Sequence, residues 1–471
     1  MTYIIDTINT FLWSKLLIIS LIGIGIYFTV ASRFVQFRFI KEMGRVLFEK
    51  GDTDTHGISS FKSFCIGAAT RIGTGNLAGV AVAVTLGGPG AVFWMWLVAL
   101  LGGATSFVES TLAQVYKIRD GQTFRGGPAY YIEKGLKQRW LGIVFALLIA
   151  VTFGLIFNSV QSNTISIAFE NAFGVNRLIS GVLITILTGA VIFGGVDRIA
   201  KLSSVIVPVM AVMYFVIAAF VIAMNISEMP AVFMLIVKSA FGLEQAIGGG
   251  IGAAIMNGVK RGLFSNEAGM GSAPNAAATA SVSHPAKQGF IQTLGVFVDT
   301  IVICSATAFI ILLAPVYQTG EVSGIALLQN SLSTHVGGWA STFIAISILL
   351  FAFSSIIGSY YYGETNIEFI KKDKNWLTIY RVLTLTIVLI GSVIGLDLVW
   401  SIADIFMGMM ALINLVAIAL LSKVALKVLR DYQQQRAAGL NPTFNATAVG
   451  IENTECWDMD EELQEQDRIA V

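Results

Sequence analysis

Polar residues interrupt a hydrophobic stretch at positions 68–89, where Gly73 and Gly75 alternate with Thr74 and Asn76. A helix that faces lipid does not carry such residues, because each polar group left without a partner in hydrocarbon costs several kcal/mol. Glycine costs a further ~1 kcal/mol relative to alanine inside a helix. Unwound backbone within a membrane segment offers carbonyl groups and two helix ends to a ligand. The stretch therefore predicts a broken helix that forms a binding site.

A second interrupted segment spans residues 246–280, and its glycines and polar residues are densest at 262–272 (GLFSNEAGMGS). The two breaks lie about 195 residues apart, and each of the two segments opens a run of five apolar segments. Because five is an odd number of spans, the second run is inverted relative to the first. Inverted repeats of this kind are typical of secondary transporters, with the binding site between the two breaks.

Composition indicates a membrane protein. Of 471 residues, 55% are hydrophobic and 13% are charged, with a mean hydropathy of +0.76, whereas a soluble domain carries about 25% charged residues. Apolar runs of spanning length recur along the chain, which predicts an all-α polytopic membrane protein with eleven spans. The predicted spans lie at 11–31, 60–85, 91–116, 140–170, 178–195, 202–225, 246–280, 288–315, 338–368, 376–396 and 398–428.

The charges beside the first span predict the orientation. Arg33, Arg38 and Lys41 follow that span at once, and positive residues hold their end of a helix in the cytoplasm. We therefore expect the N-terminus outside and the C-terminus inside a plasma membrane of the bacterial inner-membrane type. The predicted organisation is a transporter domain at 1–431, with an extra helix at 11–31, a first repeat at 60–225 and a second repeat at 246–428, followed by a disordered acidic cytoplasmic tail at 432–471.

Several function classes are disfavoured. The three cysteines and three histidines have neither metal-binding nor redox spacing, and no Cys/His pair lies at membrane depth, so we expect no enzyme activity. A net charge of +1 gives no indication of a nucleic-acid partner. A channel would need a continuous polar pore, and two isolated breaks suit an enclosed site better.

Three motifs carry a resemblance to a known family. Residues 87–97 (GGPGAVFWMWL), continuing to Gly102, resemble the signature of the sodium:alanine (alanine/glycine:cation) symporter family. Residues 73–79 (GTGNLAG) and 265–275 (SNEAGMGSAPN) resemble its other distinctive segments, and the similarity extends over roughly residues 10–430. The resemblance implies the LeuT-type fold, in which two inverted five-helix repeats here follow one extra N-terminal helix. It also implies sodium-driven uptake of alanine or glycine.

The resemblance implies two sodium sites that use oxygen ligands, as hard cations prefer. Their predicted ligands are Asn76, Ser265 and Asp299 in one site, and Ala69, Ile72, Ser354 and Ser355 in the other. Each assignment has an alternative. Asn76 could cap a half-helix, and Asp299 could pair with Arg71 or Lys260 instead of an ion. Adjacent serines in a helix often bond back to the preceding turn.

Substrate contacts are expected on both broken segments. Free backbone N–H groups beside a half-helix end can hold a carboxylate, and a bulky Met270 would favour a small side chain such as that of alanine. The predicted substrate-binding residues are Gly73, Thr74, Gly75, Asn266, Gly269, Met270, Gly271, Ser272, Phe153 as a lid and Trp400 as a gate. The alternatives are close packing for the glycines, core packing for Met270 and Phe153, and a position at the membrane interface for Trp400.

Five further charged residues fall within the spans, and we expect them to form gating or structural pairs; these are Arg71, Glu109, Lys260, Arg261 and Glu267. The predicted function is therefore sodium-coupled symport of small neutral amino acids by alternating access. The partners are the amino acid, sodium and the lipid bilayer. Proton coupling through Asp299 or Glu267 is the alternative that the residues leave open.

Overall fold

The computed structural model describes residues 2–49, 57–243, 250–320 and 322–457. The predicted start of the second broken segment, at 246–249, and the acidic end of the chain, at 458–471, lie outside these ranges. The described chain is almost entirely helical, with one short antiparallel hairpin that follows the helix ending at Val115.

The elements are named in chain order: α1 (Thr7–Ala31), α2 (Val35–Arg38), α3 (Ile40–Leu47), α4 (Ser60–Arg71), α5 (Gly75–Gly87), α6 (Gly90–Val115), β1 (Ile118–Asp120), β2 (Thr123–Arg125), α7 (Pro128–Leu136), α8 (Arg139–Phe173), α9 (Arg177–Ile192), α10 (Gly195–Met224), α11 (Met229–Ala240), α12 (Ile251–Asn266), α13 (Ala273–Ala278), α14 (Pro285–Leu312), α15 (Gly324–Val336), α16 (Trp339–Ile370), α17 (Lys374–Gly391), α18 (Leu396–Leu420), α19 (Ser422–Ala437) and α20 (Ala446–Val449).

In the described part of the chain, seven helices are long and apolar enough to cross a membrane, namely α1, α6, α8, α10, α14, α16 and α18. Four further segments of the predicted eleven are shorter or interrupted. They are α9, α17 and the two broken segments, α4 with α5 and α12 with α13. The chain is thus a multi-pass helical membrane protein, and seven of the predicted spans meet the criteria of length and hydropathy.

Local sequence explains where several helices begin and end. Pro128 and Pro285 open α7 and α14, at the position where the missing N–H would have had no helical partner. His284 precedes α14, and its Nδ1 accepts a hydrogen bond from the N–H of Ala286 at 3.1 Å. Gly174 ends α8 with φ +66°, the left-handed conformation that favours glycine after a helix.

Both predicted breaks are present. Helix α4 ends at Arg71, and α5 begins at Gly75. Helix α12 ends at Asn266, and α13 begins at Ala273 after a turn that contains three residues with positive φ: Glu267, Gly269 and Gly271. Helix α12 packs against α5, so the two breaks lie side by side in the centre of the bundle.

The structure corrects the prediction at two helices. Residues 197–201, predicted as a loop, belong to α10, which begins at Gly195 and has Asp197 in its first turn, where a negative charge complements the helix dipole. The span that contains Trp400 is continuous through α18. That helix ends at Leu420 rather than 428, and α19 follows directly.

The predicted tail is also different from the observed one. Residues 432–437 complete α19, and 438–457 pack on the rest of the protein. The indole N–H of Trp457 donates to the carbonyl oxygen of Gln114 at 2.7 Å, and Glu455 pairs with Lys134 at 2.7 Å. Phe444 is buried beside Trp457, with 5.3 Å between the ring centroids. These apolar anchors hold a segment that polar composition alone had assigned to a disordered tail.

Candidate ion and substrate site

A carboxylate joins three elements at the centre of the bundle. Asp299, on α14, is fully buried and accepts hydrogen bonds at both oxygens. Its Oδ1 accepts from Asn76 Nδ2 at 2.6 Å, and its Oδ2 accepts from Ser265 Oγ at 2.8 Å and from Thr300 Oγ1 at 2.7 Å. The structure thus brings the predicted ligands of the first sodium site together from α5, α12 and α14. Thr300 is a fourth oxygen donor that sequence reasoning missed.

The amide of Asn76 links this cluster to the first break. Its Oδ1 accepts a hydrogen bond from the N–H of Gly73 at 2.9 Å, while its Nδ2 faces Asp299. Asn76 therefore bridges the unwound backbone and the carboxylate. A cation beside Asp299 would take the amide oxygen only after the amide turned over, and that turn would release the Gly73 N–H.

A second group of oxygens lies at the end of α4. Ser355 Oγ, on α16, donates to the carbonyl oxygen of Ala69 at 2.7 Å and lies 3.3 Å from that of Thr70. The neighbouring Ser354 instead donates to Phe351 O at 2.9 Å. The structure therefore places one serine of the predicted pair, Ser355, at the break. Ile72 is buried where the chain leaves the helix, with φ −80° and ψ 84°.

The glycines of the first break allow close approach of neighbouring helices. A Cβ added at Gly73 would lie 2.2 Å from Ser355 Oγ, and one added at Gly75 would lie 3.0 Å from a ring carbon of Phe264. The N–H of Thr74 donates to Gln161 Oε1 at 3.0 Å. Gln161, on α8, is a site residue that the sequence did not single out.

Thr74 also contributes an unusual polar atom. Its Oγ1 is buried and, within the described residues, has no hydrogen-bond partner. The indole N–H of Trp400 and the side-chain Nδ2 of Asn266 are also buried and have no hydrogen-bond partner within the described residues. Buried polar groups in proteins are nearly always paired, so these three are candidates for hydrogen bonds to water or to a ligand.

At the second break, a protein carboxylate already occupies the backbone N–H groups. Glu109, on α6, accepts from the N–H of Gly269 at 3.1 Å and from that of Gly271 at 3.2 Å. Asn414, on α18, donates both to Glu109 Oε2 at 2.8 Å and to the Gly269 carbonyl at 2.9 Å. Gly269 and Gly271, predicted as substrate-binding residues, thus have both N–H groups bonded to Glu109 in this structure.

The other residues predicted at this break are also engaged by the protein. Ser272 Oγ donates to Glu267 Oε2 at 2.6 Å, and Asn266 Oδ1 accepts from the Ala268 N–H at 3.0 Å. Met270 is fully buried in the main hydrophobic cluster. Glu267 also lies 3.5 Å from Thr70 Oγ1, so this carboxylate connects the two breaks.

An aromatic row runs beside the breaks and contains both predicted aromatic gates. The distance between ring centroids is 4.7 Å from Phe153 to Phe157, 4.6 Å from Phe157 to Phe264 and 4.7 Å from Phe264 to Trp400. Tyr362 extends the row, 5.5 Å from Phe153. Phe153 and Trp400 are therefore two members of one continuous row, whose middle members the sequence did not reveal.

A charged group covers the Trp400 end of this row. Arg261 donates to both oxygens of Asp404 at 2.6 Å, and its guanidinium carbon lies 4.4 Å from the Trp400 ring centroid. Lys260 lies 3.5 Å from the same carboxylate. The structure thus pairs Lys260 with Asp404, and not with Asp299.

Negative charge predominates around the two breaks. Asp299, Glu109 and Glu267 are fully buried there, and one buried guanidinium, that of Arg71, attracts all three. Arg71 donates to the carbonyl oxygen of Gln292 at 3.3 Å, and its Nε and Nη2 have no hydrogen-bond partner within the described residues. These three buried carboxyl groups, which share one guanidinium, offer oxygen atoms of the type that hard cations bind.

Comparisons with known proteins agree on one family. The family model described as the sodium:alanine symporter family matches residues 1–446. The amino-acid carrier protein AlsT of Bacillus subtilis is 59% identical over 456 residues, which cover 97% of each chain. The probable sodium/glutamine symporter GlnT of the same organism is 57% identical over 457 residues, with 97% of this chain and 96% of that protein covered.

The fold is similar to that of a solved membrane transporter. The crystal structure of the Eremococcus coleocola manganese transporter, in complex with an aromatic bis-isothiourea substituted compound, matches with a TM-score of 0.54. The match covers 89% of this chain and 88% of the transporter, at 13% sequence identity. At this identity the likeness shows the fold alone.

Proposed function

Because this chain belongs to the sodium:alanine symporter family, we propose that it carries small neutral amino acids, alanine first and glycine next, into the cell together with sodium. The observation that supports this most strongly is the Asn76–Asp299–Ser265 cluster, which joins the first break, the second broken segment and α14 around a buried carboxylate. Its oxygen atoms are of the type that hard cations bind.

We propose the LeuT-type arrangement for the fold. If α9, α17 and the two broken segments cross the membrane with the seven long helices, the count is eleven, and the two breaks open inverted runs of five. The basic residues after α1 then place the N-terminus outside and the C-terminus in the cytoplasm of a bacterial plasma membrane.

Sodium binding at Asp299 would prepare the site for the amino acid. The ion takes the oxygens of Asp299, Ser265 and Thr300, and Asn76 turns its amide oxygen toward the ion. The Gly73 N–H, which Asn76 holds at 2.9 Å, then becomes available to a substrate carboxylate. This step couples the two ligands, because the ion removes a competitor for the backbone donor that the amino acid needs.

A second ion is proposed at the end of α4, between Ser355 Oγ and the carbonyl oxygens of Ala69 and Thr70. An ion there would replace the serine's hydrogen bond to Ala69 and would draw α16 and α4 together. Each sodium that crosses the full field contributes about 2.3 kcal/mol per 100 mV to accumulation.

The amino acid is proposed to bind between the first break and the aromatic row. Thr74 Oγ1 and the Trp400 N–H, which lack partners in the described structure, and Gln161 supply polar contacts. Because Gly73 and Gly75 pack closely against Ser355 and Phe264, the space beside the first break suits a small side chain. In alternating access, the Arg261–Asp404 pair over Trp400 closes the outer side of this site.

The test is uptake of labelled alanine and glycine into proteoliposomes that contain the purified protein. We expect accumulation with an inward sodium gradient and none without it. Accumulation with a proton gradient alone would instead support the proton-coupled alternative, through Asp299 or Glu267. If neither amino acid accumulated under either gradient, the proposed substrates would be wrong.

Glutamine is a second candidate substrate, because GlnT, which is 57% identical, is named a probable sodium/glutamine symporter. Unlabelled glutamine added to the alanine assay separates the two. Strong competition at equal concentration would indicate that the site accepts the longer polar side chain. Absence of competition would restrict the protein to small side chains.

A further inference from the structure

Two arginines flank a small cavity where α1 ends. The cavity has a volume of about 160 Å³, and Arg33, after α1, and Arg430, on α19, lie on its two sides. Ser32 and Gln433 add polar groups to its wall, and Leu426 adds an apolar one. It lies far in sequence from both broken segments and contains none of the proposed transport residues.

Neither arginine has a counter-charge in the part of the chain that the structure describes. Within the described residues, the guanidinium groups of Arg33 and Arg430 form no hydrogen bond or ion pair. The nearest carboxylates in sequence are engaged elsewhere. Asp431 Oδ2 accepts from His284 Nε2 at 3.0 Å, and Glu42 pairs with Arg45 at 2.8 Å. Among the described residues, the cavity is therefore a concave site whose two positive charges have no acidic partner.

The surrounding segments are uniformly basic. Residues 31–41 and 422–430 contain no acidic residue and six basic ones, which are Arg33, Arg38, Lys41, Lys423, Lys427 and Arg430. Arg38 Nη1 donates to the carbonyl oxygen of Arg33 at 3.2 Å, so a third arginine lies close to the cavity. A basic pocket next to a membrane helix attracts the phosphate of an anionic lipid.

The backbone at this point is held in an uncommon conformation. Arg33 has φ +56° and Phe34 has φ +60°, a region in which residues other than glycine are strained by roughly 1–2 kcal/mol each. The Phe34 N–H donates to Thr29 O at 2.7 Å, which closes the end of α1 tightly. Glycine normally takes such a position. Arg33, which lines the cavity, therefore lies within this turn.

Exposed apolar residues lead from the cavity toward the hydrocarbon. Val30 on α1 is 62% exposed, and Leu420, at the end of α18, is 66% exposed. Phe34, within the strained turn, and Phe37, after it, are 52% and 42% exposed. Apolar and aromatic side chains beside a basic pocket fit the two parts of a phospholipid, since the tails lie along the helices and the phosphate lies between the arginines.

We propose that this cavity binds the phosphate of an anionic phospholipid, such as phosphatidylglycerol, in the cytoplasmic leaflet. The inference rests on the proposed orientation of α1, with its C-terminal end inside. It does not depend on which amino acid or ion is transported. The lipid proposal can therefore fail while the proposed function stands, and the proposed function can fail while the lipid proposal stands.

The experiment compares two variants of the full chain in mild detergent. Arg33→Gln/Arg430→Gln removes both charges from the cavity, and Lys201→Gln/Lys374→Gln removes the same charge from the cytoplasmic ends of α10 and α17. Phosphatidylglycerol or phosphatidylcholine is titrated in, and bound lipid is counted by native mass spectrometry. We expect phosphatidylglycerol to bind the wild type and the lysine variant, and to bind the arginine variant about 30-fold more weakly.

Three results would overturn the proposal. They are equal retention of phosphatidylglycerol by both variants, equal binding of phosphatidylcholine and phosphatidylglycerol by the wild type, and displacement of the lipid by inorganic phosphate at a matched concentration. The last would assign the cavity to a free phosphate instead of a lipid. Melting temperatures measured before lipid addition check folding, and they should agree among the three proteins, because neither arginine has a partner to lose.

Discussion

The two breaks look alike in sequence but are held in different ways. At the first break, the N–H groups of Gly73 and Thr74 donate to neutral amide oxygens, those of Asn76 and Gln161. At the second, two backbone N–H groups donate to one carboxylate, that of Glu109. A neutral hydrogen bond contributes about 0.5–1.5 kcal/mol net and one to a charged group about 1.5–3 kcal/mol. The first break can therefore exchange its partners for ligands at low cost, while the second is fixed by the protein.

Backbone conformation supports the same distinction. The second break reverses the chain through three residues in the left-handed region, with φ +58° at Glu267, +86° at Gly269 and +84° at Gly271. The first has no positive φ, and Thr74 keeps a helical conformation with φ −55°. The second break has a turn of fixed shape, which suits a structural role. The first break is a short unwound stretch of helix, which suits a site that must open and close around its ligands.

Replacing the carboxylate beside the first break should have the largest effect. In Asp299→Asn the two hydrogen-bond donors at Oδ2, Ser265 and Thr300, lose their charged acceptor, and the ion loses its only carboxylate ligand in this cluster. We expect the sodium concentration for half-maximal uptake to rise at least about 100-fold. Labelled alanine uptake measured against sodium concentration checks this.

The matched control is Asp197→Asn, which removes an exposed carboxylate in the first turn of α10. It should leave the sodium dependence unchanged. Normal sodium dependence in Asp299→Asn, with folded protein at the usual yield, would contradict the assignment of the first break as the ion site.

Replacing the carboxylate of the second break should affect stability instead. In Glu109→Gln, one acceptor oxygen is lost, and an NH₂ group is placed either against the N–H of Gly269 or against the N–H of Gly271 and the Nδ2 of Asn414. We expect the free energy of unfolding to fall by about 2–3 kcal/mol. A thermal melt in detergent measures it, and the sodium dependence of the surviving protein should stay close to that of the wild type.

Glu228→Gln, at an exposed position before α11, serves as the matched control for that measurement. Its melting temperature should be that of the wild type. A Glu109→Gln protein that melts normally but has lost its sodium dependence would reverse the comparison, since the second break would then be the ion-binding one.

The sequence predicted the breaks because their signal is local: glycine and polar residues within an apolar run. It also predicted that Asn76, Ser265 and Asp299 would meet, through motifs shared with a family. It singled out Glu109 as a charge within a span, but it could not reveal that this carboxylate fills the second break, because Glu109 lies on α6, about 160 residues earlier in the chain. Nothing local distinguishes glycine N–H groups that await a substrate from ones that a distant helix has already bound.

The rotation of a helix about its own axis is a second feature that the sequence could not predict. Ser354 and Ser355 are adjacent, so their side chains point about 100° apart on a helix with 3.6 residues per turn. Sequence spacing cannot say which of the two faces α4, because that depends on how α16 packs. The observed contact of Ser355 with Ala69 O settles the choice, and Ser354 turns back to its own helix.

Adding one methyl group at the first break should reduce transport by a moderate amount. In Gly73→Ala the new Cβ would lie 2.2 Å from Ser355 Oγ, so either the hydroxyl or the backbone must move. Over-packing of this kind costs about 1–3 kcal/mol, and we expect a roughly tenfold or larger loss of uptake. The double variant Gly73→Ala/Ser355→Ala removes the clashing hydroxyl and should regain part of the stability, as a thermal melt would measure. A single variant that transports normally would mean that the first break is looser than its contacts indicate.

The smallest expected effect distinguishes two neighbouring serines. Ser355→Ala removes the hydroxyl that bonds to Ala69 O, whereas Ser354→Ala removes one that bonds to Phe351 O within its own helix. Loss of one neutral ligand costs about 0.5–1.5 kcal/mol, so the sodium requirement of Ser355→Ala should rise about three- to tenfold. Ser354→Ala is its control and should match the wild type in the same uptake assay. An unchanged sodium requirement in Ser355→Ala would mean that the end of α4 binds no ion, and the exchangeable character of the first break would then rest on Asp299 and Asn76 alone. Equal shifts in both variants would mean that both serines contribute to the site.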